Sequence, residues 1–275
     1  MNGIGFVKAH ACGNDFLVIE EAAADGRHAA LAKKLCARNT GIGADGIEFL
    51  ERRADGSFFL RLFNADGGEA ELSGNGTRCV AAWLAQSEGR EEVALGTQGG
   101  VRTCRVVRDK ARREGAEWWI ESAMGVPRVM QRNIEIEGLM RVVEGAVVDV
   151  GNPHFVVFTE REDFGAYGMG WQELGEKIST SKLFSHGTNV EFVRVLGEGE
   201  IAFRIYERGC GPTMSSGTGT CAASAAAMSL RGAARALTAL APGGPQSVTW
   251  ADAQSEMMLT GPAEIVCRGT VEFVG

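Results

Sequence analysis

The feature that most constrains this chain is an internal duplication. Arg61-Leu62-Phe63-Asn64 leads through nine residues to Gly74-Asn75-Gly76-Thr77, and Arg204-Ile205-Tyr206-Glu207 leads through nine residues to Gly217-Thr218-Gly219-Thr220. Ser73 stands before the first glycine turn and Ser216 before the second. Two further segments recur in the same order. Gly13-Asn14-Asp15-Phe16-Leu17-Val18-Ile19 resembles Gly151-Asn152-Pro153-His154-Phe155-Val156-Val157, and Ile47-Glu48-Phe49-Leu50 resembles Val190-Glu191-Phe192-Val193. Four collinear matches at nearly one separation predict two copies of one structural unit. Matched side chains before matched turns suggest equivalent groups presented to one site, which suits a reaction needing a catalytic group on each face of its substrate.

Local patterns predict the elements of each copy. Phe58-Phe59-Leu60-Arg61-Leu62-Phe63 and Ile201-Ala202-Phe203-Arg204-Ile205-Tyr206 read as strands. Proline-free helical patterns follow the glycine turns, over Arg78 to Gln86 and over Cys221 to Leu240. Ala222, Ala223 and Ala225 to Ala227 would let the second helix be closely surrounded, as by a curved sheet. Short β-prone runs make up most of the rest: Val101 to Val107 and Glu117 to Glu121, with a charged turn over Asp109 to Gly115 between them. The expected class is mixed α/β (α+β), with many strands and few helices and no βαβ alternation. A boundary is expected around residues 118–125, and Ala241-Pro242-Gly243-Gly244-Pro245 reads as a loop.

Composition removes several function classes. A formal charge of −7 and no basic, aromatic-interleaved patch argue against a nucleic-acid binder. The first residues lack a basic segment followed by an apolar run, so no secretory signal is read, and a cytoplasmic location is expected. No stretch approaches the roughly 18 apolar residues of a membrane helix. Seven cysteines, an odd number without a C-x-x-C pair, suit neither a disulfide framework nor a zinc site, and most are expected to be small, buried, reduced thiols. No metal site is expected.

A Gly-x-Gly-Thr turn opening a helix offers unpaired N–H groups and the positive end of the helix dipole to an anion. Neither copy has the spacing or the lysine of a P-loop, nor the dinucleotide fingerprint. A thiol just before such a turn would have a lowered pKa. A serine hydroxyl there needs a neighbouring base to react, and on residue type alone its commoner work is to cap the helix. The nucleophile elbow G-x-S-x-G is absent at both serines.

Along nearly its whole length the chain resembles the diaminopimelate epimerase family. The residues that carry the resemblance are Lys8-Ala9-His10, Gly13-Asn14-Asp15-Phe16, Gly41-Ile42-Gly43-Ala44-Asp45-Gly46, Asn64-Ala65-Asp66-Gly67 and Ser73 to Cys79. They continue with Gly151-Asn152-Pro153-His154, Asn189 to Phe192, Glu207-Arg208-Gly209, Ser216 to Gly219 and Thr260-Gly261-Pro262-Ala263. The resemblance implies two pseudo-symmetric domains, 1–118 plus 263–275 and 119–262. Each would be a curved, mostly antiparallel sheet around a central helix, with the site in the cleft between the domains. It implies a cofactor-free epimerase of lysine and cell-wall precursor synthesis that interconverts L,L- and meso-diaminopimelate by two-base proton transfer at Cα. Homodimers occur in the family, and no diagnostic interface is read from the sequence.

Residue by residue, the resemblance makes Asn14, Asn64, Asn152, Asn189, Glu207 and Arg208 substrate-holding positions. Gly74-Asn75 and Gly217-Thr218 become the turns for the carboxylate of the reacting centre. His154 and Glu207 become helpers of proton movement. Ser73 and Ser216 stand at the family's two catalytic cysteine positions, while Cys79 and Cys221 lie too far inside the helices to replace them. Three readings of the serines stay open: engineered replacements, a native form that still epimerises, or a relative with a changed or lost reaction. The rival functions are a same-fold isomerase with a carboxylate base, Glu207 or Glu71, and a silent amino-acid-binding homologue.

Overall fold

The computed structural model describes residues 3–107, 117–137, 139 and 141–272. The turn expected over Asp109 to Gly115 lies outside them. Two compact units divide the chain, Met1–Ser122 with Thr260–Gly275, and Ala123–Leu259.

The first unit begins with strands β1 (Ile4–Ala11) and β2 (Asn14–Glu20), followed by helix α1 (His28–Leu35). Next come β3 (Gly46–Arg52), β4 (Phe58–Asn64), β5 (Glu69–Ala70) and helix α2 (Gly74–Glu88). The strands β6 (Glu92–Thr97), β7 (Gly100–Val106) and β8 (Glu117–Ala123) follow. Strand alternation sorts side chains onto two faces. Ile47 and Phe49 of β3 pack with Leu31, Ala32 and Leu35 of α1. Leu50 joins Leu60, Leu62 and the α2 residues Cys79, Val80, Ala82 and Leu84 on the other. Each such fully buried aliphatic side chain contributes roughly 1.5–3 kcal/mol.

The second unit runs β9 (Arg128–Ile134), β10 (Val143–Asp149), β11 (Pro153–Phe158) and helix α3 (Trp171–Ser179). After these come β12 (Asn189–Gly197), β13 (Glu200–Glu207), β14 (Gly211–Thr213) and helix α4 (Gly217–Leu230). The hairpin β15 (Ala236–Ala241) and β16 (Gly244–Thr249) follows, and β17 (Met258–Val271) then leaves this unit and belongs to the first from Thr260 onward. All twelve residues from Gly217 to Met228 are buried. The alanines there let Val148, Val156, Phe203 and Ile205 pack closely against the helix. Leu174 and Ile178 of α3 pack on the opposite side of these strands, with Val190 and Phe192.

The same succession of pairings occurs in both units. β1–β2 is antiparallel, β2–β3 parallel, β3–β4 antiparallel, β4–β6 parallel and β6–β7 antiparallel. Likewise β10–β11 is antiparallel, β11–β12 parallel, β12–β13 antiparallel, β13–β15 parallel and β15–β16 antiparallel. Even the register recurs: Phe16 stands opposite Gly46 and Val18 opposite Glu48, as His154 stands opposite Asn189 and Val156 opposite Glu191.

Two expectations about the helices need correction. Helix α2 starts at the glycine turn itself and not at Arg78. Helix α4 ends at Leu230, ten residues short of the expected Leu240. Gly232 adopts a left-handed φ of 71°, and Ala236–Ala241 pairs with β13 and β16. Sheet pairing there overrides the helix propensity of an alanine-rich run. The segment expected as a loop at Ala241 to Pro245 is a tight hairpin, with Ala241 paired to Gly244. Among the described residues no helix is long and apolar enough to cross a membrane.

Candidate active site

Each glycine turn is the first turn of a helix, and each serine is its cap. Ser73 has extended backbone, φ −123° and ψ 121°, and its Oγ accepts from Gly76 N at 3.0 Å. Ser216 does the same at φ −141° and ψ 132°, accepting from Gly219 N at 3.3 Å. Both hydroxyls thus sit at the positive end of a helix dipole and keep a proton to donate. Bare glycine backbone lets side chains press against both turns. A Cβ on Gly76 would come within 1.9 Å of Glu48 Oε1, and one on Gly219 within 2.5 Å of Ile205 Cδ1 and 3.0 Å of Glu191 Oε1.

In the first unit a chain of polar contacts leads away from the turn. The buried Asn75 donates through Nδ2 to Asn14 Oδ1 at 3.1 Å and accepts from Arg78. Asn14 donates in turn to Asp45 Oδ2 at 2.6 Å. Arg38 joins Asp45 and Asp15 at 2.7–2.8 Å, and Lys8 lies 3.1 Å from Asp15. Burial pushes the Asp15 carboxyl up, but the bonds and charges of Arg38 and Lys8 outweigh it and hold it below its ordinary value. With both amide ends engaged, Asn14 is locked in one orientation. It keeps one N–H and one lone pair for a ligand.

In the second unit the corresponding line runs through an imidazole. Asn152 Nδ2 lies 3.4 Å from Thr218 Oγ1, which turns Asn152 Oδ1 toward His154 Nε2 at 2.9 Å. His154 Nδ1 meets Glu191 Oε1 at 2.6 Å, and both side chains are fully buried. Nε2 therefore carries a proton, and a second proton is shared between Nδ1 and the carboxylate. Burial raises the Glu191 pKa against the lowering effect of His154.

Glu207, at the end of β13, accepts from Thr213 Oγ1 at 2.5 Å. Burial raises its pKa, and hydrogen bonds from Thr213 and Ser216 offset part of the rise. In its ionised form such a carboxyl is a stronger base than an ordinary glutamate, and it can then take a neighbouring hydroxyl's proton. Asn189 Oδ1 accepts from Arg208 N at 2.9 Å, and the exposed Arg208 guanidinium donates to His186 O at 3.0 Å.

The expected residues therefore gather in part. Asn14 joins Asn75 behind Ser73 and Gly74. Asn152, His154 and Thr218 form one line, Glu207 joins Ser216 beside Gly217, and Asn189 joins Arg208. Asn64 stands opposite Gly46 at the end of β4, without a side-chain bond to any of the others. Glu71 is exposed. Cys79 and Cys221 are fully buried inside their helices. Of the seven thiols only Cys210 and Cys267 are exposed. Sequence reasoning missed Glu48, Glu191, Asp45 and Arg38 as parts of the site. The available signal was a glutamate placed identically in two apolar strands. Among the described residues no group of three or more His, Cys, Asp and Glu side chains could hold a metal ion.

The family model described as diaminopimelate epimerase matches residues 6–130 and 146–266. A diaminopimelate epimerase of Desulforudis audaxviator is 35% identical, with 96% of this chain and 98% of that protein covered. One from Methanothrix thermoacetophila is 36% identical, with 98% of this chain and 97% of that protein covered. The solved structure of the Bacillus anthracis phenazine biosynthesis protein of the PhzF family has the same fold. Its TM-score is 0.77 at 14% identity, with 99% of this chain and 100% of that one covered.

Proposed function

Because the chain belongs to the diaminopimelate epimerase family, we propose that it inverts one amino-acid Cα of diaminopimelate, interconverting the L,L and meso forms without a cofactor. One observation carries the reading: each unit supplies a glycine turn whose N-cap hydroxyl stands at the positive end of a helix. Inversion requires a proton to leave one face of Cα and another to arrive on the opposite face, so two such groups serve one centre. In this reading each unit is a curved sheet around its helix, α2 or α4, and the two are copies of one another.

The two halves take different parts. The Ser216 hydroxyl acts on Glu207, lowering its pKa against the effect of burial, so proton removal passes from Cα through Ser216 Oγ to the carboxylate. Ser73 donates its hydroxyl proton to the other face and recovers one from solvent, while Glu207 gives up to solvent the proton it took. In the reverse direction the parts exchange. N–H groups of Gly74-Asn75 and Gly217-Thr218 hold the carboxylate of the reacting centre, where charge develops as the proton leaves. Arg208 grips the distal carboxylate, with Asn14, Asn64, Asn152 and Asn189 orienting the amino-acid groups. His154 holds Asn152 and Thr218 in place. Ser73 and Ser216 stand where the family's mechanism uses cysteines. A serine hydroxyl gives up its proton far less readily than a thiol, so turnover is slow.

Incubation in D₂O with L,L- or meso-diaminopimelate tests the proposal. Deuterium entering at Cα supports it. Tight binding with no exchange after long incubation assigns the chain instead to amino-acid binding. The family resemblance also supports a homodimer in the cytoplasm, for which a sedimentation mass twice that of the chain is expected.

A further inference from the structure

Glu48 is an ionisable group in an apolar core, 2% exposed, on the face of β3 that carries Leu50 toward α2. Its Oε1 would lie 1.9 Å from a Cβ on Gly76, so the carboxyl rests against bare backbone on the inner side of the first glycine turn. Gly76 N is the same amide that caps onto Ser73 Oγ. Glu191 occupies the corresponding place under the second turn, where His154 holds it. At the position corresponding to His154 the first unit has Phe16, and no hydrogen bond or ion pair links Glu48 to another described residue. An unpartnered buried carboxyl is costly.

We propose that Glu48 is a positioning residue of the first half-site, setting by its protonation state how strongly the Gly74-Asn75 turn holds the substrate carboxylate. The proposal rests on the reading of that turn as carboxylate-binding. Neutral Glu48 leaves the helix end unopposed for an anion outside it. Ionised Glu48 places a second negative charge against the same first turn, and the two anions compete for one positive end. Burial pushes the Glu48 carboxyl up to about 8, so the change of state falls close to neutral pH. By linkage, the bound carboxylate draws a proton onto Glu48.

Glu48 acts on the α2 thiol Cys79 together with Arg78 on α2, Cys12 between β1 and β2, and Asp15 on β2, while burial is what shifts Glu48 itself. Arg78 donates to Asn75. Asp15 is held ionised by Arg38 and Lys8, and burial pushes the Cys79 thiol far up.

The test is calorimetric binding of meso-diaminopimelate to the native chain, Glu48→Gln, Glu48→Leu and Cys12→Ser, across the neutral to alkaline range in two buffers of different ionisation enthalpy. The substrate's own ionisation cancels in the comparison. Native affinity is expected to fall about tenfold more than that of either Glu48 variant for each pH unit above the Glu48 transition. Native binding takes up protons near that transition, the Glu48 variants do not, and Cys12→Ser follows the native chain. Parallel pH dependence in native and Glu48 variants, or its loss in Cys12→Ser, overturns the assignment of Glu48 alone. Absence of binding in every protein at every pH overturns the proposed function and this assignment together.

Discussion

Asn152, His154 and Glu191 form a continuous hydrogen-bonded line beneath the second glycine turn, whereas beneath the first the same three places hold Asn14, Phe16 and Glu48 and the line stops at a phenyl ring. Strand order, register, helix start and capping serine are otherwise the same in the two units. One ring for another therefore separates a carboxyl that shares a proton with an imidazole from one that keeps its own. The first unit orients its asparagine by a different device, Asp45 held by Arg38. Duplicated backbones need not carry duplicated proton chemistry. In an epimerase, whose two catalytic groups must differ in protonation at any instant, such asymmetry is useful.

Placing sulfur at both caps gives the largest expected effect on this comparison. The Ser73→Cys, Ser216→Cys double variant should raise kcat for diaminopimelate epimerisation by about 10²–10⁴-fold, measured by optical rotation or Cα deuterium exchange. Of the single variants, Ser73→Cys should gain more, because Ser216 already has Glu207, and among the described residues no hydrogen bond links Ser73 Oγ to a carboxylate. Equal gains would show that Glu207 does not assist Ser216.

Glu48→Leu should stabilise the protein, by up to about 4–5 kcal/mol at alkaline pH. The sign follows from a carboxyl raised from 4.5 to about 8. Between those values the folded chain holds a proton that the unfolded chain has released, so native stability falls as pH rises through that window and then levels off. The gap between variant and native denaturant midpoints should widen across it and be independent of pH below it.

His154→Phe turns the second half-site into a likeness of the first. It leaves Glu191 fully buried without its partner and should cost about 3 kcal/mol in chemical denaturation. The reciprocal Phe16→His should offer Glu48 a partner and narrow the pH window just described. The smallest effect concerns the caps. Ser73→Ala and Ser216→Ala should each lower stability by about 1 kcal/mol, with the larger loss at Ser73, whose bond to Gly76 is the shorter.

Much of this molecule can be read from its residues. The four recurring segments lie on β2 and β11, β3 and β12, β4 and β13, and the starts of α2 and α4, because apolar alternation and paired glycines are local signals. The end of α4 was not legible: Ala236–Ala241 is a good helix former that becomes a strand through its pairing with Ile201 and its neighbours. The direction of Glu48 was hidden for a related reason. A charge in a strand reads as a solvent-facing position, and only the packing of α2 on that face turns it inward. Asp45 was visible as part of a glycine-rich segment, but its grip on Asn14 joins residues 31 positions apart.

Strand β1 has a consequence for how the chain is made. Its residues Ile4 to His10 pair with Glu264 to Val271 of β17, so the first unit to leave the ribosome is the last to be completed. Until β17 emerges, β1 has one hydrogen-bonding edge open to other nascent chains. The second unit is continuous in sequence and can close as soon as Leu259 is made. Synthesis order and folding order are therefore opposed, and removing β17 should yield inclusion bodies more readily than a chain lacking only its catalytic groups.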